Sequence, residues 1–207
     1  MALQLSTHKL GKSFNRRIVF RDVDAHVGEG ETLMIAGRNG AGKSTLVKIL
    51  CGVLSPSQGR VVVEGTGKLN EFDRKGLFGL VAPYLQVYDE FSAMENLMLA
   101  ASLRGERGDR SVYAGLLTRV VLEPNRADPV HGFSSGMKQR LKYALALAHH
   151  PRILILDEPM ANLDADGMAI VRTIMREQRS RGILVVATND PADIDAHEQK
   201  VNLNERS

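Results

Sequence analysis

The chain has 207 residues, enough for one large α/β domain or one domain with an inserted lobe. Its 27 basic and 24 acidic residues are well mixed and leave a net charge of +3, which argues against an electrostatic nucleic-acid binder; no nucleic-acid partner is expected. The single cysteine, Cys51, excludes an internal disulfide, and the longest apolar run, Tyr143 to Ala148, is six residues against roughly 20 for a membrane span, so any membrane role is expected to come through a partner.

The N-terminal stretch reads as strands over Ala2–Lys9, Arg17–Val27 and Glu31–Ala36. The apolar run Thr32–Ala36 feeds directly into Gly37-Arg38-Asn39-Gly40-Ala41-Gly42-Lys43-Ser44, which matches the pattern G-x-x-x-x-G-K-[ST]. A triphosphate is a compact cluster of negative oxygens, and binding it takes many donors converging on a small volume. Glycines at 37, 40 and 42 let the backbone turn tightly, so that N–H groups from Arg38, Asn39, Ala41 and Thr45 can join the cradle. Lys43 supplies a point charge for the outer phosphates and Ser44 a hydroxyl for Mg²⁺. The helix that follows, with apolar residues at 46, 47, 49 and 50 and a stop at Gly52, turns its positive end toward the same anion. Cys51 falls in this apolar stretch and reads as packing.

Further along, Gly59–Gly65 is a β-branched strand bounded by glycines, and Leu77–Ala82 is another, stopped by Pro83. Ser92 followed by Glu95 is a capping box for a helix through Leu97, Met98 and Ala101, and Arg110–Leu122 reads as a second helix. These predict a helical lobe over about 85–150 within a core of about 1–84 and 151–207. Continuous apolar runs at Ile153–Leu156 and Ile183–Ala187 indicate strands covered on both faces. The helix Asp164–Arg181 between them, with Ile170, Val171 and Ile174 inward, completes a βαβ unit. The expected fold is α/β: a P-loop NTPase core with a mostly parallel sheet, an N-terminal antiparallel β portion and an inserted helical lobe.

The strand at Ile153–Leu156 ends in Asp157-Glu158-Pro159. An acid pair at the carboxyl edge of a sheet lies where α/β folds bind ligands. Asp157 can hold Mg²⁺ through its water shell, and Glu158 can polarise a hydrolytic water beside the γ-phosphate.

Phe133-Ser134-Ser135-Gly136-Met137-Lys138-Gln139-Arg140 resembles the LSGGQ signature of ABC-type ATPases, opening a helix Met137–His149 with Leu141, Ala144, Leu145 and Ala148 inward. The order of P-loop, signature, acid pair and D-loop Ala161-Asn162-Leu163-Asp164 resembles an ABC transporter ATP-binding subunit over essentially the whole chain. That resemblance implies ATP and Mg²⁺ as cofactors and Phe14 as an aromatic that stacks on adenine. It also implies that Ser134 and Gly136 grip the γ-phosphate held by a second ATPase subunit, in a homodimer or heterodimer. The implied partner is an integral-membrane permease subunit, the implied location the cytoplasmic face of the inner or plasma membrane. The apolar loop carrying Tyr84, Leu85, Val87, Tyr88 and Phe91 would take the permease helices. Small single-domain members include a haem-exporter ATPase of cytochrome c maturation, toward which the chain length leans. A soluble ABC-type ATPase or a weakly hydrolysing nucleotide switch is the competing reading.

The chain departs from the family pattern in three places. The signature has Ser135 and Met137 where the family has glycine and glutamine. Pro83 stands where a loop glutamine is usual, with Gln86 nearby. Asn189 takes the place of a switch histidine; it can donate one amide hydrogen bond but carries no positive charge.

Overall fold

The computed structural model describes residues 2–65, 67, 76–189 and 199–205. They fall into two compact units, one within 1–80, 152–159 and 175–207, the other within 81–151 and 160–174.

The first unit opens with an antiparallel hairpin, β1 (Gln4–Phe14) and β2 (Arg17–Gly28), closed by Asn15 and Arg16. Both closing residues have positive φ, 46° and 68°, as a two-residue turn matched to strand twist requires. β1 runs well past the expected end at Lys9. The reason is a set of register shifts between Thr7 and Ser13, with Lys9 at φ 45°, after which pairing resumes down to Phe14 opposite Arg17. On its other edge β1 pairs with β4 (Gln58–Glu64), giving the order β2-β1-β4. Gly59 is obligatory there, because a Cβ would stand 2.3 Å from the His8 carbonyl oxygen.

The second sheet has the order β5-β6-β7-β3-β8, made of β3 (Thr32–Ala36), β5 (Phe78–Val81), β6 (Ile153–Asp157), β7 (Ile183–Thr188) and β8 (Gln199–Asn202). β3 pairs in parallel with both β7 and β8, and β6 with β7. Every residue of β6 and β7 is buried, which is why their sequences show no polar alternation. The register sets Ala36 opposite Thr188 and Asp157 opposite Ala187, so β3, β6 and β7 all end at one edge. Helix α1 (Lys43–Leu50) starts from that edge, and its Leu46, Val47, Ile49 and Leu50 join a core with Leu5, Phe20, Ile35, Ile155 and Val185. Cys51 caps this helix at its C-terminus; its thiol donates to Val47 O at 3.2 Å and burial pushes its pKa up, so it is an inert packing residue.

The second unit is helical. Helices α2 (Ala93–Leu103), α3 (Arg110–Arg119) and α4 (Ser135–Leu147) pack pairwise, burying Leu97, Leu117 and Leu141. α2 carries the complete capping box: Glu95 N–H donates to Ser92 Oγ at 3.2 Å, and Ser92 N–H donates to Glu95 Oε2 at 2.8 Å. α3 is shorter than expected, because Val121 turns out to solvent with φ 56° and the chain cannot continue as a helix. α4 starts at Ser135, and its buried residues include Tyr143, Ala146 and Leu147, whereas Leu145 and Ala148 are only half-buried. The inward stripe is therefore rotated relative to the expected one. A last helix, α5 (Ala165–Arg179), begins in this unit and ends in the other. Among the described residues, no helix is long and apolar enough to cross a membrane.

Candidate functional site

Gly37 to Gly42 form the loop between β3 and α1, and Lys43 and Ser44 open the helix, as the sequence spacing requires. Gly40 and Gly42 have φ of 82° and 97°, a region L side chains rarely enter. At Gly42 a Cβ would also lie 2.6 Å from Val19 Cγ1, so β2 presses on the loop from outside. Ala41 N–H closes a turn onto Arg38 O at 3.1 Å. The loop borders an open cavity of about 980 Å³, lined by the stretch Arg38 to Thr45 together with Phe14, Arg17, Ile18, Val19, Glu158 and Asn204.

Lys43 is only 6% exposed, and its ammonium is fully engaged. It donates to Gly37 O at 2.8 Å and to Asn189 Oδ1, and lies 3.3 Å from Glu158 Oε1. Asn189, just past β7, donates from Nδ2 to Asn39 Oδ1. The switch position and the P-loop are thus joined through both asparagine and lysine. Glu158 follows β6 in a left-handed conformation, φ 49°, with its N–H donating to Ala187 O at 2.8 Å. That strained backbone turns its side chain from the sheet into the cavity.

Asp157, at the end of β6, is 1% exposed, and neither carboxylate oxygen is in hydrogen-bond geometry with a donor among the described residues. Burial pushes its pKa up, and the neighbouring Ser44 hydroxyl pulls it part of the way back. A buried carboxylate with both oxygens open costs free energy unless a cation or proton meets it. Beside a serine hydroxyl, it offers oxygen ligands that suit a hard divalent cation. Among the described residues, no cluster of three or more His, Cys, Asp or Glu could hold a metal alone.

Phe14 ends β1 at the cavity rim, 47% exposed, with Arg17 and Ile18 beside it. An exposed aromatic at the mouth of an anion cradle is a surface on which a base can stack.

Ser134 and Gly136 belong to the helical unit and do not line the cavity. Ser134 is the N-cap of α4, its Oγ accepting from Met137 N–H at 3.2 Å. A Cβ on Gly136 would come 3.2 Å from Asn162 O, so the glycine admits the D-loop backbone. Pro83 and Gln86 are both exposed, and neither lines the cavity.

One site residue escaped the sequence. Asn204, in a short turn after β8, accepts from Arg38 N–H at 3.0 Å and lines the cavity. It thereby satisfies the Arg38 amide, two residues past the end of β3. Nothing in Gln199–Asn202, with one apolar residue in four, signals a strand that would carry it there.

A family model described as ABC transporter matches residues 20–161. The lantibiotic transport ATP-binding protein SrtF of Streptococcus pyogenes is 34% identical, covering 89% of this chain and 79% of that one. The lipoprotein-releasing system ATP-binding protein LolD of Bacteroides thetaiotaomicron is 32% identical, covering 86% and 87%. A solved ATP-binding subunit of an ABC transporter superposes with a TM-score of 0.79 at 28% identity, covering 91% and 80%. The chain belongs to the ABC transporter family of ATP-binding subunits, ATPases whose turnover is coupled to transport.

Proposed function

We propose that the chain binds MgATP in the cavity above α1 and hydrolyses it as the peripheral motor of a transporter whose channel is a separate membrane subunit. The observation that carries this reading is the arrival of the P-loop, Asp157–Glu158 and Asn189 at one sheet edge, where Lys43 touches Glu158 and Asn189 together. Loop amides and Lys43 take up the phosphates; Phe14 receives the base; Glu158 orients water for attack on the γ-phosphate. Mg²⁺ held near Ser44 and Asp157 would neutralise phosphate charge. Ser134 and Gly136 complete the site of a second copy, whose own pair completes this one, so that two nucleotides are clasped between two subunits. Support for this comes from Ser134 heading a helix N-terminus that offers N–H groups to an anion.

The membrane partner is placed against the loop between β5 and α2. Tyr84, Tyr88 and Phe91 are exposed there, with the Tyr88 and Phe91 rings 5.7 Å apart. The loop is held by Asn96, which accepts from Tyr88 N–H at 2.9 Å and donates to Tyr88 O at 3.0 Å. A braced aromatic surface suits docking of an apolar helix end. Export of haem rests on chain length alone. The relatives are named for a lantibiotic and for lipoprotein release, so the cargo is assigned to the membrane subunit rather than to any pocket here. Affinity purification in detergent tests the reading: a membrane protein should accompany the wild-type chain and be lost with Tyr88→Asp, and purification without any membrane partner would favour a soluble ATPase.

A further inference from the structure

Phe14 is held from behind. The Lys12 ammonium sits 4.7 Å from the centroid of the Phe14 ring and donates to Ser55 O at 2.9 Å. Lys12 and Phe14 are two apart on β1, on either side of the register shift at Lys12 and Ser13, and the cation meets the ring across it. Phe14, Arg17 and Ile18 line the nucleotide cavity and Lys12 does not, so the ammonium occupies one ring face without itself bordering that cavity. A ring has two faces. With one taken by a cation, a base entering the cavity that Phe14 lines can stack only on the other.

The anchor of this arrangement is a seam between β1 and the segment that follows α1. Ser57 N–H donates to Gly11 O at 2.8 Å, Ser13 N–H donates to Ser57 Oγ at 3.1 Å, and Lys12 Nζ reaches Ser55 O. The seam ties the strand that carries Phe14 to the chain leaving the P-loop helix. The distance from base platform to phosphate cradle is thereby fixed before a ligand arrives, which lowers the ordering cost of binding.

We propose that Lys12 is a positioning residue for the nucleobase: it clamps Phe14 so that the free ring face meets the base at the spacing set by the cradle. This rests on the reading of the cavity as a nucleotide site. It makes a ligand-selective claim, because only a ligand with a base should register the loss of Lys12.

The test is calorimetric titration of MgATP and of magnesium tripolyphosphate into the full chain and its Lys12→Met, Lys12→Arg, Phe14→Leu and Lys12→Met/Phe14→Leu variants. Methionine keeps an unbranched stem and removes the charge. Lys12→Met should weaken MgATP about two- to five-fold, the size of an exposed cation–π contact, and leave tripolyphosphate unchanged. Lys12→Arg should restore MgATP affinity, since a guanidinium stacks on a ring and still donates to a carbonyl. On the Phe14→Leu background Lys12→Met should have no further effect. Equal weakening of both ligands, persistence of the loss without Phe14, or no loss at all would each overturn the role of Lys12. If Phe14→Leu leaves MgATP affinity unchanged, Phe14 is not the base platform and the role of Lys12 falls with it, whereas failure of the wild-type chain to bind either MgATP or tripolyphosphate would overturn the cavity as a nucleotide site.

Discussion

Lys43 Nζ lies 3.3 Å from Glu158 Oε1, so the P-loop cation is paired with the carboxylate to which the proposed function gives the hydrolytic water. On the proposed reading a triphosphate competes with Glu158 for Lys43, and Glu158 would be released to orient water as Lys43 moves. Glu158→Gln removes the competitor and the base together. Turnover should fall at least about 100-fold, within the range for losing a general base, while MgATP binds as tightly as before or more so. Paired ATPase and binding assays check this; weakened binding would contradict the competition.

Asn189 contacts Lys43 and Asn39 at once. It spans the two sides of the phosphate loop but supplies no positive charge to a γ-phosphate. Asn189→His should raise turnover and make it depend on pH near the usual histidine value of about 6.5. An unchanged or lower rate in steady-state assays would argue against a switch role at 189.

The Ser92–Glu95 capping box opens α2, and Asn96, next along that helix, holds the aromatic loop before it. Ser92→Ala should destabilise the protein by about 1 kcal/mol, seen as a lower denaturation midpoint. The two Ser92 hydrogen bonds hold the Glu95 carboxyl below its usual value of 4.5. A lowered folded-state pKa means the contribution is present above 4.5 and is lost as pH falls through the folded value. Glu95→Gln cannot titrate, so its stability should fall less steeply than wild type below that pH. Parallel curves in acid would contradict the assignment.

The parts legible in the sequence are those whose chemistry needs contiguous residues. The P-loop, the acid pair and the Ser134 cap each fit in a few positions, and their spacing carries them. The contacts that complete the site are not contiguous: Asn189 meets Asn39 across 150 positions and Asn204 meets Arg38 across 166. Such meetings depend on the register of a parallel sheet, including an edge strand, Gln199–Asn202, with no hydrophobic pattern. The inward stripe of α4 keeps Leu141 and Ala144 as expected but takes Tyr143, Ala146 and Leu147 in place of Leu145 and Ala148, for a related reason. Alanine and leucine alternate there with Tyr143, and the choice of buried side was made by packing among the helices rather than by composition.

The clasping of nucleotide between two copies is tested most directly by light scattering of the Glu158→Gln chain with saturating MgATP. The expected result is a dimer with MgATP and a monomer with MgADP, with the dimer abolished by a further Ser134→Arg substitution at the tip of α4. A chain that stays monomeric with MgATP, alone and with its membrane partner, would contradict the shared site.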